Sequence, residues 1–260
     1  MGLPTDSHSS FLRGPARAPA AIRAALASDH GNMATESGAE LGLDIPLEDL
    51  GDLKLEESAG DFESIRAAAA EAAKHGSTPI FLGGDHMVTY PVIAGLAEVH
   101  GPVNILHFDA HPDLYDDFEG DPLSHASPFA RIMENGLAGR LVQVGIRTLN
   151  NHCRAQADRF GVEIIDMRNF SPGAVPIPAG PLYISIDMDA LDPAFAPGVS
   201  HHEPGGLSVR EILTVLHRVD APIVGADVVE YNPARDINGM TAVVAAKFVK
   251  ELAALAAARF

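Results

Sequence analysis

Three short stretches of this chain concentrate carboxylates and imidazoles at spacings suited to holding metal ions. They are Gly83-Gly84-Asp85-His86, Asp109-Ala110-His111-Pro112-Asp113 and Asp187-Met188-Asp189, the last followed closely by Asp192-Pro193. Side chains of extended backbone alternate in direction. Asp109, His111 and Asp113 therefore point the same way at a strand end, as do Asp187 and Asp189. Each stretch presents a claw rather than a single ligand. A thiol-free set of His86, His111 and the carboxylates of Asp109, Asp113, Asp187 and Asp189 suits Mn²⁺ or a similar first-row ion better than structural Zn²⁺. Such a set is too large for one tetrahedral ion. It suits two ions roughly 3.5–4 Å apart that share carboxylates. Asp85 and Asp192 read as supporting or turn residues. No Gly-Lys-Ser/Thr follows Gly83-Gly84, which excludes a P-loop.

Other residues are candidates for work beside the ions. His125, in the polar loop Gly120–Ser127, has the ordinary pKa range of a proton shuttle. Glu230 follows a predicted strand and is placed to hold a cationic group, ideally a guanidinium in bidentate fashion. His201 and His202, with Glu203, lie in a loop that would line the pocket, and Tyr115 and Ser124 are further candidates. Arg147 and Asn150 carry donors that could meet a substrate carboxylate. The remaining histidines, His8, His30, His75, His100, His107, His152 and His217, read as structural or surface residues.

These residues need a scaffold that brings strand ends together. Apolar, β-branched runs alternate with helical patterns, which predicts βαβ units and a parallel sheet. Strands are expected at Thr78–Leu82, Val103–Phe108, Leu141–Gly145, Val162–Asp166, Leu182–Ile186 and Ile223–Val229. Helices are expected at Ala18–Ala27, Phe62–Lys74, Val88–Val99, from Pro128 to Glu134, and at His152–Phe160, Val209–Val219 and Met240–Arg259. Ser208 with Glu211 forms a capping box for the helix from Val209. Met1–Pro4 reads as the tail of a strand. No linker, repeat or low-complexity tract divides the chain, so a single domain over residues 1–260 is expected. In open parallel sheets, ligands bind beyond the carboxyl ends of the strands, where all three claws fall.

Bulk properties narrow the partners. The chain has 260 residues, with 18 Lys plus Arg against 35 Asp plus Glu, a formal net charge of −17. Phosphate binding needs concentrated positive charge, so nucleic acid is excluded as a partner and a small cationic ligand is favoured. The single cysteine, Cys153, rules out a disulfide framework and fits a reducing compartment. Met1–Ser10 has neither a basic nor an apolar segment of the secretory kind. The longest uncharged run, Phe170–Ile186, is broken by Pro172, Pro176, Pro178 and Pro181, so no membrane span is expected. The expectation is a cytoplasmic protein.

Taken together, these motifs resemble the ureohydrolase superfamily of arginases and agmatinases, and most nearly its plant-type arginases and their bacterial relatives. The matching segments are Gly83–His86, Asp109–Asp113, Ser124-His125-Ala126-Ser127, Ser185–Pro193, Pro197–Leu207 and Gly225–Pro233, with Ser9–Ile22 and the stretch from Met240 onward. The resemblance covers essentially the whole chain. It implies a three-layer α/β/α fold around a central, mostly parallel eight-stranded sheet. It implies two Mn²⁺ ions per subunit held by residues matching His86, Asp109, His111, Asp113, Asp187 and Asp189, and relatives that are homotrimers or homohexamers. It implies that water activated by the ion pair attacks the guanidinium carbon, that Glu230 holds the guanidinium and that His125 shuttles the proton. Two departures bear on the substrate. Val199-Ser200-His201-His202 stands where most members have Thr-Gly-Thr-Pro, and plant-type members share Val-Ser-His but usually lack the second His. Tyr115 stands where animal arginases have an Asn that reads the amino-acid end of the substrate. The expected reaction is L-arginine to L-ornithine plus urea. The alternatives are agmatine to putrescine plus urea, or hydrolysis of another guanidino acid such as 4-guanidinobutyrate. A non-catalytic metal-binding homologue would have lost a ligand, His125 or Glu230, and none is lost. A deacetylase on a related fold would need a single Zn²⁺ and not two claws.

Overall fold

The computed structural model describes residues 1–74 and 76–258. His75 and the expected helix end at Arg259 lie outside the described residues. Two helices come first, α1 (Ala18–Leu26) and α2 (Asp61–Lys74), then β1 (Ile80–Leu82) and α3 (Thr89–His100). After them run β2 (Val103–Phe108), α4 (Pro128–Glu134), β3 (Ala138–Ile146), α5 (Asn151–Phe160) and β4 (Glu163–Asp166). The chain closes with β5 (Leu182–Asp187), α6 (Val209–Leu216), β6 (Ile223–Val229) and α7 (Met240–Ala257). Among the described residues no helix is long and apolar enough to cross a membrane.

The strands form one sheet in the order β1-β6-β5-β2-β3-β4, every pair parallel. Among the described residues six full strands form, and two single rungs extend the sheet toward the eight members that the resemblance implies. Beyond β1 the sheet continues by single rungs: Gly2 bridges Leu82 on one side and Asp52 on the other, both parallel. Leu82 N donates to Met1 O at 2.9 Å and Leu53 N to Gly2 O at 2.9 Å. The rung at Gly2 falls in the strand tail expected at Met1–Pro4, whereas the one at Asp52 is too short to show as a strand in a hydrophobic pattern.

Both faces of the sheet are covered, so its strands are largely apolar on both sides. Along β2, Ile105 packs toward α2–α5, while Leu106 and Phe108 pack toward α1, α6 and α7. All three are fully buried. Truncating Phe108 to Ala would cost about 3–5 kcal/mol, since the surroundings collapse only partly into the space. On one face, α2 and α3 approach closely because Gly95 faces the α2 backbone, where a Cβ would sit 2.2 Å from Arg66 O. On the other, α6 is started by the expected capping box: Ser208 Oγ accepts from Glu211 N, and Glu211 Oε2 accepts from Ser208 N at 2.8 Å. The Ala-rich α7 buries Phe248, Val249 and Leu252 against this layer.

The connections explain where a site can form. From β2 the chain moves outward to β3 and β4 on one side, whereas β5 and β6 lie on the other. The order reverses between β2 and β5, and a crevice opens there beyond their carboxyl ends.

Candidate metal centre

Four strand ends deliver the site. Asp109, His111 and Asp113 follow β2, and Asp187 ends β5 with Asp189 just beyond. His86 begins a short turn after β1, and Glu230 follows β6. All of these except the half-buried His111 are buried. Gly84 lets the strap after β1 pass under the chain's first residues, because a Cβ there would meet Thr5 O at 1.6 Å. Its carbonyl accepts from Glu230 N at 2.9 Å, tying the β1 and β6 ends together.

The ligand atoms fall into two groups. His86 Nδ1 lies 3.2 Å from Asp109 Oδ2, 3.1 Å from Asp113 Oδ2 and 3.1 Å from Asp187 Oδ2. His111 Nδ1 lies 3.3 Å from Asp109 Oδ1 and 3.1 Å from Asp189 Oδ2. Asp109 therefore offers one oxygen to each group. Neighbouring donors around an octahedral ion with roughly 2.1 Å bonds would sit roughly 3.0 Å apart, which is the spacing seen. His86 Nδ1 is fully buried, faces three carboxylates and makes no hydrogen bond. An orphaned imidazole nitrogen among buried carboxylates is the donor set of a cation site, and the residues fit a pair of metal ions.

Electrostatics point the same way. Burial, with the charges of Asp189 and Asp109, holds the Asp187 carboxyl well above its usual range. Burial and Asp109 raise Asp113 as well. Asp109 goes far below its range: burial opposes this, but His107, His111 and His86 together win. This many buried carboxylates in one dry space call for compensating positive charge, which bound cations would supply.

Supporting hydrogen bonds orient the ligands. Asp227, fully buried, accepts from Ser185 Oγ, Tyr183 OH and Thr89 Oγ1, each at 2.7 Å. Ser185 spends its proton on Asp227, so its oxygen accepts from His86 Nε2–H at 3.0 Å. That fixes the tautomer that leaves the His86 Nδ1 lone pair toward the carboxylates. Gln143 Nε2 donates to Pro112 O and to His107 Nδ1, so His107 Nε2–H donates to Asp109 Oδ2 at 2.9 Å. Though close to His86 and Asp109, His107 is thus a donor to a ligand rather than a ligand itself. The sequence reading left His107 as structural. Its position two before Asp109 on β2, on the same face, was the available signal.

Beside these groups lies a cleft of about 260 Å³. His125, Glu230, His201 and Tyr115 line it, with Ser10 and Thr148 from other segments. His125 Nδ1 lies 2.7 Å from Glu230 Oε1, which also accepts from His86 N at 2.9 Å. Burial alone would depress the imidazole, yet Glu230, Asp85 and Asp113 lift it to about 9. Glu230 in turn is held below its usual range against burial by His125. Asp85 supports the turn, accepting from Met87 N and His8 N, and its burial and the charge of Glu230 raise it to about 7. Both Asp113 and Glu230 adopt positive φ, 51° and 61°, an uncommon conformation for residues with a Cβ.

Several sequence candidates lie elsewhere. His202 is exposed and pairs with Pro197 O at 2.7 Å, away from the cleft. Ser124 is buried beneath the loop and caps Ala126 N. The Arg147 guanidinium is consumed by five backbone carbonyls, those of Gly145, Asp189, Ala190, Leu191 and Glu203, so it braces the Asp189 turn and cannot serve a substrate. Asn150 caps α5 and bonds Tyr115 OH. Ser10, near His125, was missed altogether.

Comparison with known proteins places this arrangement. Arginase 1, mitochondrial, of Arabidopsis thaliana is 52% identical over 98% of this chain and 79% of its own. Arginase, mitochondrial, of Medicago truncatula is 49% identical over 98% of this chain and 80% of its own. A solved arginase structure from Medicago truncatula matches with a TM-score of 0.94 at 47% identity, covering 98% of this chain and 86% of that one. The expectation of a cytoplasmic protein is corrected by these relatives: both are named mitochondrial, which points to an organelle instead. Arginases and their homologues are metal-dependent hydrolases acting on guanidino compounds, and the family uses a dinuclear metal centre. A family model described as the Arginase family spans residues 1–254, and with both ligand groups in place this chain belongs to the arginase family.

Proposed function

We propose that the chain is an arginase, one domain over residues 1–260, converting L-arginine to L-ornithine and urea with two Mn²⁺ ions. One observation carries this reading: roughly half of the chain is identical to plant arginases over nearly its whole length, 52% in one case. The ions would be held by His86, Asp113 and Asp187 on one side and His111 and Asp189 on the other, with Asp109 shared. When bound, they would supply a hydroxide-strength nucleophile at neutral pH and offset the buried negative charge.

The protein's own groups would do the rest. Guanidinium is a poor electrophile, so it must be held close and oriented. Both recorded hydrogen bonds to the Glu230 carboxylate fall on Oε1, so Oε2 is the oxygen for a guanidinium N–H. His125, kept charged by Glu230, would hold the proton that the departing amine needs. His201, depressed by burial and by the charge of His125, is a neutral imidazole suited to the far end of the substrate, and it shares the cleft with Tyr115. The same reading carries a homotrimer or homohexamer, which sedimentation would size.

The test is urea release by the Mn²⁺-loaded protein offered L-arginine, agmatine and 4-guanidinobutyrate in equal amounts. Arginine should be preferred by at least roughly ten-fold in kcat/KM, a difference of about 1.4 kcal/mol in transition-state binding. A preference for agmatine or the guanidino acid would reassign the substrate.

A further inference from the structure

The loop from Asp6 to Gly14 is tied to three parts of the site at once. The Asp6 carboxylate closes it, accepting from Arg13 Nε at 2.7 Å, Gly14 N at 2.7 Å and Ala16 N at 3.1 Å. His8 O accepts from His125 N at 3.1 Å. The Phe11 ring lies 5.6 Å from that of His201. Leu12 O accepts from Ser200 Oγ and from Asn232 Nδ2, each at 2.8 Å. At the middle of the loop, Ser10 Oγ lies 2.8 Å from His125 Nε2, and Ser10 N donates to the same nitrogen at 3.2 Å.

This leaves His125 with no free ring nitrogen. Nδ1 belongs to Glu230 and Nε2 to Ser10. A proton leaving Nε2 must therefore pass the Ser10 hydroxyl, and Ser10 lines the cleft. A hydroxyl suits the task because it is both donor and acceptor. It accepts from Nε2–H when the imidazole is charged and donates to Nε2 when it is neutral. The backbone N–H of Ser10 can serve only the second state.

We infer that Ser10 is a proton relay between His125 and the departing amine. In one transfer the amine takes the Oγ proton while Oγ takes the Nε2 proton. The hydroxyl is restored, the imidazolium becomes imidazole, and one proton has moved with no change in oxidation state.

This inference rests on the shuttle role proposed for His125, and the experiment separates the two. Urea release from L-arginine is measured for the native protein, Ser10→Ala, Ser10→Thr and His125→Asn, each with metal content checked. A proton inventory in mixed H₂O and D₂O accompanies it. Ser10→Ala should lose roughly ten- to a hundred-fold in kcat, the low end for a placed proton-transfer group, with KM within about two-fold. Ser10→Thr, which keeps the hydroxyl, should recover most of the loss. The native inventory should bow, as two protons in flight require, and that of Ser10→Ala should be linear. A kcat for Ser10→Ala within two-fold of native, or a Ser10→Thr as poor as Ser10→Ala, overturns the relay. An intact Ser10→Ala beside a crippled His125→Asn overturns it while leaving the shuttle in place. A His125→Asn as active as native removes the shuttle and the relay together.

Discussion

The floor of the cleft hangs on the ends of β1, β2 and β5, whereas its rim is drawn from loops that share no element. On the floor, Asp109 and His86 have no exposed surface, and each is oriented by a buried partner, His107 or Ser185. On the rim, Ser10 is exposed and His201 half-buried, and each meets the site through one or two contacts. Strand ends give positions fixed by the sheet, and ligation demands that. Loops give positions that change cheaply, and under the proposed function the choice of substrate would lie there. The lesson is that metal binding and substrate preference should separate under mutation.

Asp109→Asn tests the floor most severely. Asn keeps one oxygen but loses the other together with the negative charge, so the link between the two ligand groups is broken, metal occupancy should fall and activity should drop by roughly a thousand-fold or more, several kcal/mol of lost stabilisation. Metal analysis of the purified variant checks this, and two retained ions would break the picture of a shared carboxylate. His125→Asn comes next. It should lose about 10²–10⁴-fold in kcat with both ions still bound, because the imidazole acts beside the centre. Ser185→Ala should weaken metal binding by about 10–100-fold, since the His86 tautomer is no longer enforced. Metal titration followed by calorimetry reads it, and unchanged affinity would show the hydroxyl to be idle. His201→Ala should keep its metals and change the ratio of kcat/KM between arginine and agmatine by roughly ten-fold, the scale of one lost polar contact. Equal loss on both substrates would move His201 from recognition to framework. His202→Ala should leave every parameter within about two-fold, as surface changes away from special features do.

The same division governs what the sequence made readable. The claws at Asp109–Asp113 and Asp187–Asp189 could be found because alternation in a strand and at its end translates directly into direction. Val103–Phe108 and Ile223–Val229 were placed to the residue, as doubly covered parallel strands read as largely apolar runs, interrupted here only by Asn104, His107 and Asp227. The helix expected to reach Val219 stops at Leu216, where the pattern continues but the backbone turns toward Pro222. Ser10 could not be found, because it meets His125 across 115 positions of chain through a loop with no period. Arg147 was misread for a different reason. A guanidinium looks the same in sequence whether it awaits a carboxylate or, as here, grips five carbonyls. Of the two outer members of the sheet, Gly2 falls within the strand tail read at Met1–Pro4, while the rung at Asp52 escaped because one rung leaves no pattern.

Asp109 has a further consequence, for metal supply. A single carboxylate that lends an oxygen to each ligand group would make the two loading events parts of one equilibrium. Whatever the first ion does to the affinity of the second, the second does to the first by the same factor. The dissociation constant of either position would then depend on whether the other is filled. What a cell compartment sets, through its free metal concentration, is the state of the whole centre.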